Sequence, residues 1–159
     1  MIPSENIISF LKLAEGFRAR MYPDPPGSSK RAIGYGTQLT AEEIEFYRDR
    51  VFTKQQAAHR LRVKVRAVAK VVNGIVAVPL EQHEYDALVS FAYNVGTSAL
   101  RASTLLRKLN AGDKAAVPSE IKRWHWAGGV PHVLDGRREA ETAIWLNQNP
   151  PAGYIQESS

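Results

Sequence analysis

The sequence predicts an α+β chain in which a succession of amphipathic helices is interrupted once, near the start, by a short β region. Three observations predict this. Helix-start signatures precede apolar runs of helical spacing: Ser4 before Ile7, Leu11 and Ala14, then the capping boxes Thr40–Glu43 and Thr53–Gln56. Only Arg31 to Leu39 has the character of strands, with Gly34 and Gly36 suited to a close hairpin. Glu81 to Tyr93 is apolar nearly all round, the pattern of a helix buried on every side.

Taken in order, the first helix follows Ser4, widens its stripe with Ile8 and Phe10, and ends at Gly16. A short helix starts at Ala41 behind its capping box. From Lys54 one long helix reaches Val72 and stops at Asn73-Gly74, with Ala57, Ala58, Leu61, Val65, Val68 and Ala69 on its apolar side. Some twenty residues of helix span roughly 30 Å, the width of a small domain. Pro79 restarts the chain before the buried helix, which Asn94 and Gly96 end. Ser103 caps a helix over Thr104 to Asn110, Asp113 to Trp124 reads as another with Pro118 in its first turns, and Arg138 to Leu146 is the last. Trp124 is expected to pack, while Trp126 is open to packing or stacking. The tail from Asn147, with Pro150, Pro151 and Gly153, is expected to be poorly ordered.

Bulk properties exclude several classes of protein. The chain has 159 residues, enough apolar content for one core, and no cysteine, so neither a disulfide framework nor a thiolate nucleophile is available. No apolar run has the length of a membrane span, and MIPSENIISF lacks a basic region ahead of its apolar residues, so neither export signal nor anchor is expected. The histidines, His59, His83, His125 and His132, form no H-x-x-x-H pair, and no phosphate loop or dinucleotide fingerprint occurs; no metal and no cofactor are expected. The net charge of +5 favours anionic partners. Arg50, Lys54, Arg60, Arg62, Lys64, Arg66 and Lys70 meet no acid between Asp49 and Glu81. This basic face over 54–72 is either solvated or drawn to an anionic envelope surface; with no aromatic residue interleaved, nucleic acid is not expected.

The chemistry concentrates in Glu15 to Thr37. Glu15 falls in the last turn of the first helix, where the carbonyl end of the macrodipole disfavours negative charge. A carboxylic acid that keeps its proton is what general-acid catalysis requires. Asp24 sits among Pro23, Pro25, Pro26 and Gly27, which forbid regular structure and favour a partly solvated, ionised side chain. Two carboxyls in such different surroundings supply one acid and one base or nucleophile, the requirement for cleaving a glycosidic bond. Spacing alone is a weak signal, since a chain with sixteen acids contains many such pairs.

Three blocks in order make the signal specific. Glu15-Gly16-Phe17-Arg18, Tyr22-Pro23-Asp24 and Ile33-Gly34-Tyr35-Gly36 form the first. Asp86 to Gly96 followed by Ser103-Thr104-Leu105-Leu106 is the second, and Arg123 to Gly129 followed by Gly136-Arg137-Arg138-Glu139-Ala140-Glu141 the third. Together they resemble the phage-type lysozymes, glycoside hydrolase family 24, from Ile7 to about Leu146. The resemblance implies a lysozyme-like fold: an active-site lobe over 1–52 with the hairpin, a connecting helix over 53–74, a mostly helical lobe over 75–146, and the tail 147–159. It implies a monomeric muramidase that acts on peptidoglycan glycan strands, with inversion. The enzyme would be made in a host cytoplasm without its own export signal and would act on the wall after release. Glu15 is the implied acid and Asp24 its ionised partner. Tyr93, Asn94, Ser103 and Arg123 are the implied substrate-binding residues. The family's usual threonine and histidine positions hold Ala32 and Thr37 here, so Thr37 or Ser29 is expected to supply the missing hydroxyl. That departure leaves two alternatives: a catalytically impaired wall-binding descendant, or a membrane-perturbing protein acting through the basic helix. A lytic transglycosylase is a further enzymatic variant.

Overall fold

The expected caps form, and they fix where the chain changes direction. In the computed structural model, which describes residues 1–155, the Ser4 hydroxyl accepts the Ile7 amide at 3.3 Å and starts α1 (Glu5–Glu15). Ser4 also donates its own amide to Asp86 at 3.1 Å and its hydroxyl to the other oxygen of that carboxylate. The Thr40–Glu43 box opens α2 (Ala41–Tyr47), and the Thr53–Gln56 box, with bonds of 2.9 and 3.1 Å, opens α3 (Lys54–Ile75).

Between α1 and α2 the chain forms a three-stranded antiparallel sheet: β1 (Arg18–Pro23), β2 (Arg31–Gly34) and β3 (Thr37–Gln38), in that order. The sequence indicated only the second and third. Arg18 to Pro23 lacks a period-2 apolar pattern, and its pairing to β2 shifts register between Arg18 and Tyr22. A strand held by its neighbour's backbone and by a tertiary bond, Phe52 amide to Ala19 carbonyl at 2.7 Å, leaves little trace in side-chain order.

The helical part is centred on α4 (Gln82–Val95), buried at every position from Tyr85 to Tyr93 as its all-round apolarity requires. Helices α1, α3 and α8 (Asp135–Trp145) pack on it, with α5 (Thr97–Arg101), α6 (Thr104–Asn110) and α7 (Val117–Lys122) closing the far side. One hydrophobic cluster runs through all of these, from Ile7 to Trp145. Trp124 joins it edge-on to Phe91, with centroids 5.6 Å apart, whereas Trp126 is 56 % exposed.

Four boundaries differ from expectation. Helix α3 passes through Asn73-Gly74 to Ile75 because Asn110 caps it from α6: its amide donates to the Ile75 carbonyl at 2.9 Å and accepts the Ala77 amide at 2.8 Å. The helix expected over Asp113 to Trp124 is split into a 3-10 turn, Lys114–Ala116, and α7, because Pro118 lacks an amide hydrogen and can only open a helix. Helix α8 begins a turn early, at Asp135. The tail is ordered in part: Ala152–Tyr154 forms a 3-10 turn and Tyr154 stacks on Phe10 at 5.1 Å; residues 156–159 of the expected tail lie outside the described residues.

The basic helix is less bare than its sequence. Glu43 and Glu5, distant in the chain, pair with Arg60 and Arg62, the second at 2.7 Å.

Helix α7 carries a nearly buried acid, Glu120. Its hydrogen bond from Lys108 at 2.7 Å, then that from Arg123 at 3.0 Å, hold its carboxyl below the usual value of 4.5. A carboxylate lowered by folding stabilises above its unfolded value and loses that contribution as pH falls through the folded one. Glu120→Gln is therefore expected to lower Tm at pH 7 and to converge with the parent below pH 4.5, a difference thermal melts across that range would register.

Candidate active site

Helix α1 delivers Glu15 to the foot of the sheet, where Gly16 at φ +69° turns the chain away. Two neighbours fix the carboxyl. Arg137, from α8, donates to Oε1 at 3.0 Å through a guanidinium whose side chain is 8 % exposed. On the other side lies the Gly36 backbone, so close that a Cβ there would stand 2.9 Å from Oε2. Arg137 supplies the positive charge that the carbonyl end of α1 denies to the acid.

The two glycines of the hairpin thus have separate duties. A Cβ at Gly34 would meet Phe52 and Ala57 at 2.9 Å, so this glycine lets the sheet lie against α3. Gly36 brings the turn against the acid. The sequence reading offered a plain tight turn or a backbone brought near a sugar; the neighbour the structure shows is Glu15 itself.

Asp24 follows β1, its amide bonded to the Lys30 carbonyl at 3.1 Å. Its Oδ2 accepts from the Gln38 side-chain amide at 2.8 Å. Sequence reasoning looked to Thr37 or Ser29 for a polar group here. Gln38 is the residue of β3 that reaches the carboxylate, and the alternation of a strand turns Thr37 to the opposite face. Ala32, fully buried, pairs across the sheet with both Tyr22 and Gln38.

Tyr22 and Tyr93 lie within the electrostatic reach of Glu15. Burial pushes the Tyr22 phenol up, and the charges of Asp24 and Glu15 push it further, so this ring lies in the field of both carboxylates. Tyr93 is 5 % exposed; burial and then Glu15 drive its phenol up as well. The Lys64 ammonium stands 4.0 Å from the Tyr93 ring centroid, and burial pushes its pKa down against the opposing pull of Glu15. Lys64 was counted with the basic face of α3. Nothing in the sequence separates it from the other six cations of that stretch.

The other residues expected to bind substrate each have a partner within the fold. The Asn94 carbonyl oxygen accepts from Arg138. Ser103 uses its hydroxyl on the backbone, accepting the Leu106 amide at 3.0 Å and donating to the Leu100 carbonyl at 2.6 Å. Arg123 is paired with Glu120. Arg137, which no sequence argument had given a role, had one visible signal: adjacent arginines on a helix with Glu141 at i+3 and i+4.

A family model described as phage lysozyme matches residues 12–141. The chain is 38 % identical over 148 residues to an endolysin of Bacillus phage PZA, covering 92 % of this chain and 56 % of that protein. It is 32 % identical over 144 residues to the endolysin of Salmonella phage P22, covering 91 % and 97 %. The chain thus spans about half the length of the first Bacillus phage relatives it matches. A crystal structure of a P22 lysozyme mutant superposes with a TM-score of 0.77 at 31 % identity, over 92 % of this chain and 99 % of that one. The muramidase domain of SpmX from Asticaccaulis excentricus gives 0.76 at 30 %, over 90 % and 96 %.

The contact between Gly36 and Glu15 can be weighed against a glycine of similar backbone. Gly36→Ala places a side chain at φ +73° against the carboxylate, whereas Gly27, at φ +80°, has nothing within 4 Å of an added Cβ. Both substitutions are expected to destabilise by about 1–3 kcal/mol for the left-handed backbone, with Gly36→Ala the worse in urea denaturation.

Proposed function

This chain belongs to the phage lysozyme family, and from that premise we propose that it is a muramidase hydrolysing the β-1,4 bond between N-acetylmuramic acid and N-acetylglucosamine in peptidoglycan. The observation that carries the reading is that both carboxyls are held at one β-hairpin, Glu15 against Gly36 in its turn and Asp24 hydrogen-bonded to Gln38 in the strand that follows. Glu15 protonates the leaving oxygen, and Asp24, oriented by Gln38, directs water at the opposite face and supports the oxocarbenium charge. As Glu15 gives up its proton, Arg137 meets the anion that forms. Tyr93 walls the site.

Inversion is the stereochemical outcome this reading expects: the two carboxyls of an inverting enzyme stand farther apart than the ~5–5.5 Å of retaining glycosidases and leave space for a water.

The place of action is the cell wall, in keeping with the endolysins and SAR-endolysins among its relatives. Among the described residues no helix is long and apolar enough to cross a membrane. The membrane-perturbing alternative is disfavoured by the carboxylates that pair with Arg60 and Arg62. The impaired-enzyme alternative rests on Ala32, which is buried and offers no hydroxyl to hold the water, and the clearing of purified peptidoglycan distinguishes it.

Glu15→Gln is expected to leave the fold intact and to slow the clearing of purified peptidoglycan by about a hundredfold or more, the usual contribution of a general acid. Near-normal clearing by the folded variant would overturn the assignment. Analysis of the products with the anomer resolved separates inversion from retention, and anhydromuramic ends would instead show a transglycosylase.

A further inference from the structure

Outside the site just described, the loop between α7 and α8 gathers three side chains able to ligate a metal. One ligand atom from each of His125, His132 and Asp135 lies within 4.8 Å of the others. We propose that these three residues form a binding site for a divalent transition metal of the zinc class, which clasps the loop ahead of α8.

The donor atoms face one another in a chemically suitable state. The His132 backbone amide donates to Nδ1 of His125 at 3.1 Å, so that nitrogen is unprotonated, and a metal bound there would take the place of the amide hydrogen. Nδ1 of His132 lies 2.9 Å from Oδ2 of Asp135, and the two imidazole rings stack at 4.6 Å with 15° between their planes. His132 is held at φ +65°, in the left-handed region, which turns it back toward His125. Two imidazoles and one carboxylate are borderline ligands. They suit zinc, copper, nickel or cobalt, and are poor for calcium or magnesium, which prefer all-oxygen shells.

The geometry needs only a small adjustment. Tetrahedral coordination at ~2.0–2.1 Å places ligand atoms about 3.4 Å apart. His132 and Asp135 are exposed, with side-chain accessibilities of 72 and 56 %, so their own 2.9 Å contact can open slightly and both can move toward His125 by about an ångström without disturbing the core. The metal would exchange a backbone hydrogen bond at His125 for a coordinate bond and keep a fourth position for solvent. Lys122 and Arg138 also line the pocket and would weaken cation binding, although Arg138 is already paired with Glu141. The spacing, six residues between the histidines and two more to the aspartate, crosses a loop and is absent from helical metal motifs. Asp135 is two residues before Arg137, so the clasp would fix the start of the helix that holds Glu15.

The test is isothermal titration of Zn2+ into the full chain without an affinity tag, after treatment with a chelator, together with melts with and without Zn2+. One saturable site per chain is expected, with a Tm that rises with metal concentration as mass action requires. His132→Asn, which tolerates the left-handed backbone, and His125→Ala should each weaken binding about tenfold or more. His59→Ala, on α3, should leave it unchanged. Circular dichroism establishes that each variant is folded. The proposal is overturned if no one-to-one site saturates, or if folded His132→Asn binds Zn2+ as the parent does.

Discussion

Two neighbouring guanidiniums buried on one helix hold the site together. Arg137 and Arg138 are 8 and 1 % exposed, a costly arrangement unless every charge is met. Glu141, wholly buried, meets both, Arg138 at 2.6 Å and Arg137 at 3.9 Å. Burial pushes the Glu141 carboxyl up, and the two arginines oppose that push. Arg138 extends the network to Asn94 on α4, and Arg137 extends it to Glu15 on α1. Removing one partner from such a cluster leaves a desolvated charge behind, so the geometry of the acid and the packing of α8 on α4 are one constraint.

That constraint accounts for what the sequence disclosed and what it concealed. Caps are local: Ser4, Thr40 and Thr53 act on amides three residues away, and all three helices start where expected. The all-round apolarity of α4 is likewise local and read correctly as burial. The C-terminal limit of α3 is set by Asn110, thirty-five residues after Ile75, so no pattern within α3 could announce it. The same is true of β1, held by backbone pairing across the sheet rather than by an alternation of its own.

At the site the division is similar. Glu15 and Asp24 were legible because each has a recognisable local setting, a helix end and a proline-rich turn. Their partners were not. Gln38 and Arg137 reach them from 14 and 122 residues away. Thr37 was chosen to supply the hydroxyl that Ala32 lacks, and the side chain that bonds Asp24 is that of its neighbour, Gln38. Ser103 was read as the cap of α6 and as a substrate contact, and the cap forms; Asn94 was read as facing the cleft, and in the fold it also receives Arg138. A polar side chain has few bonds to offer, and structural demands on it are invisible until the chain closes.

The separation between Glu15 and Arg137 also bears on how the protein is made. Residues emerge from the ribosome in order, and the acid appears 122 positions before the cation that seats it. A nascent chain can form α1, the sheet and α3 while its carboxyl lies at an unfinished helix terminus. Completion waits for α8 to dock on α4, a non-local step. Competence therefore arrives with that docking rather than growing with chain length.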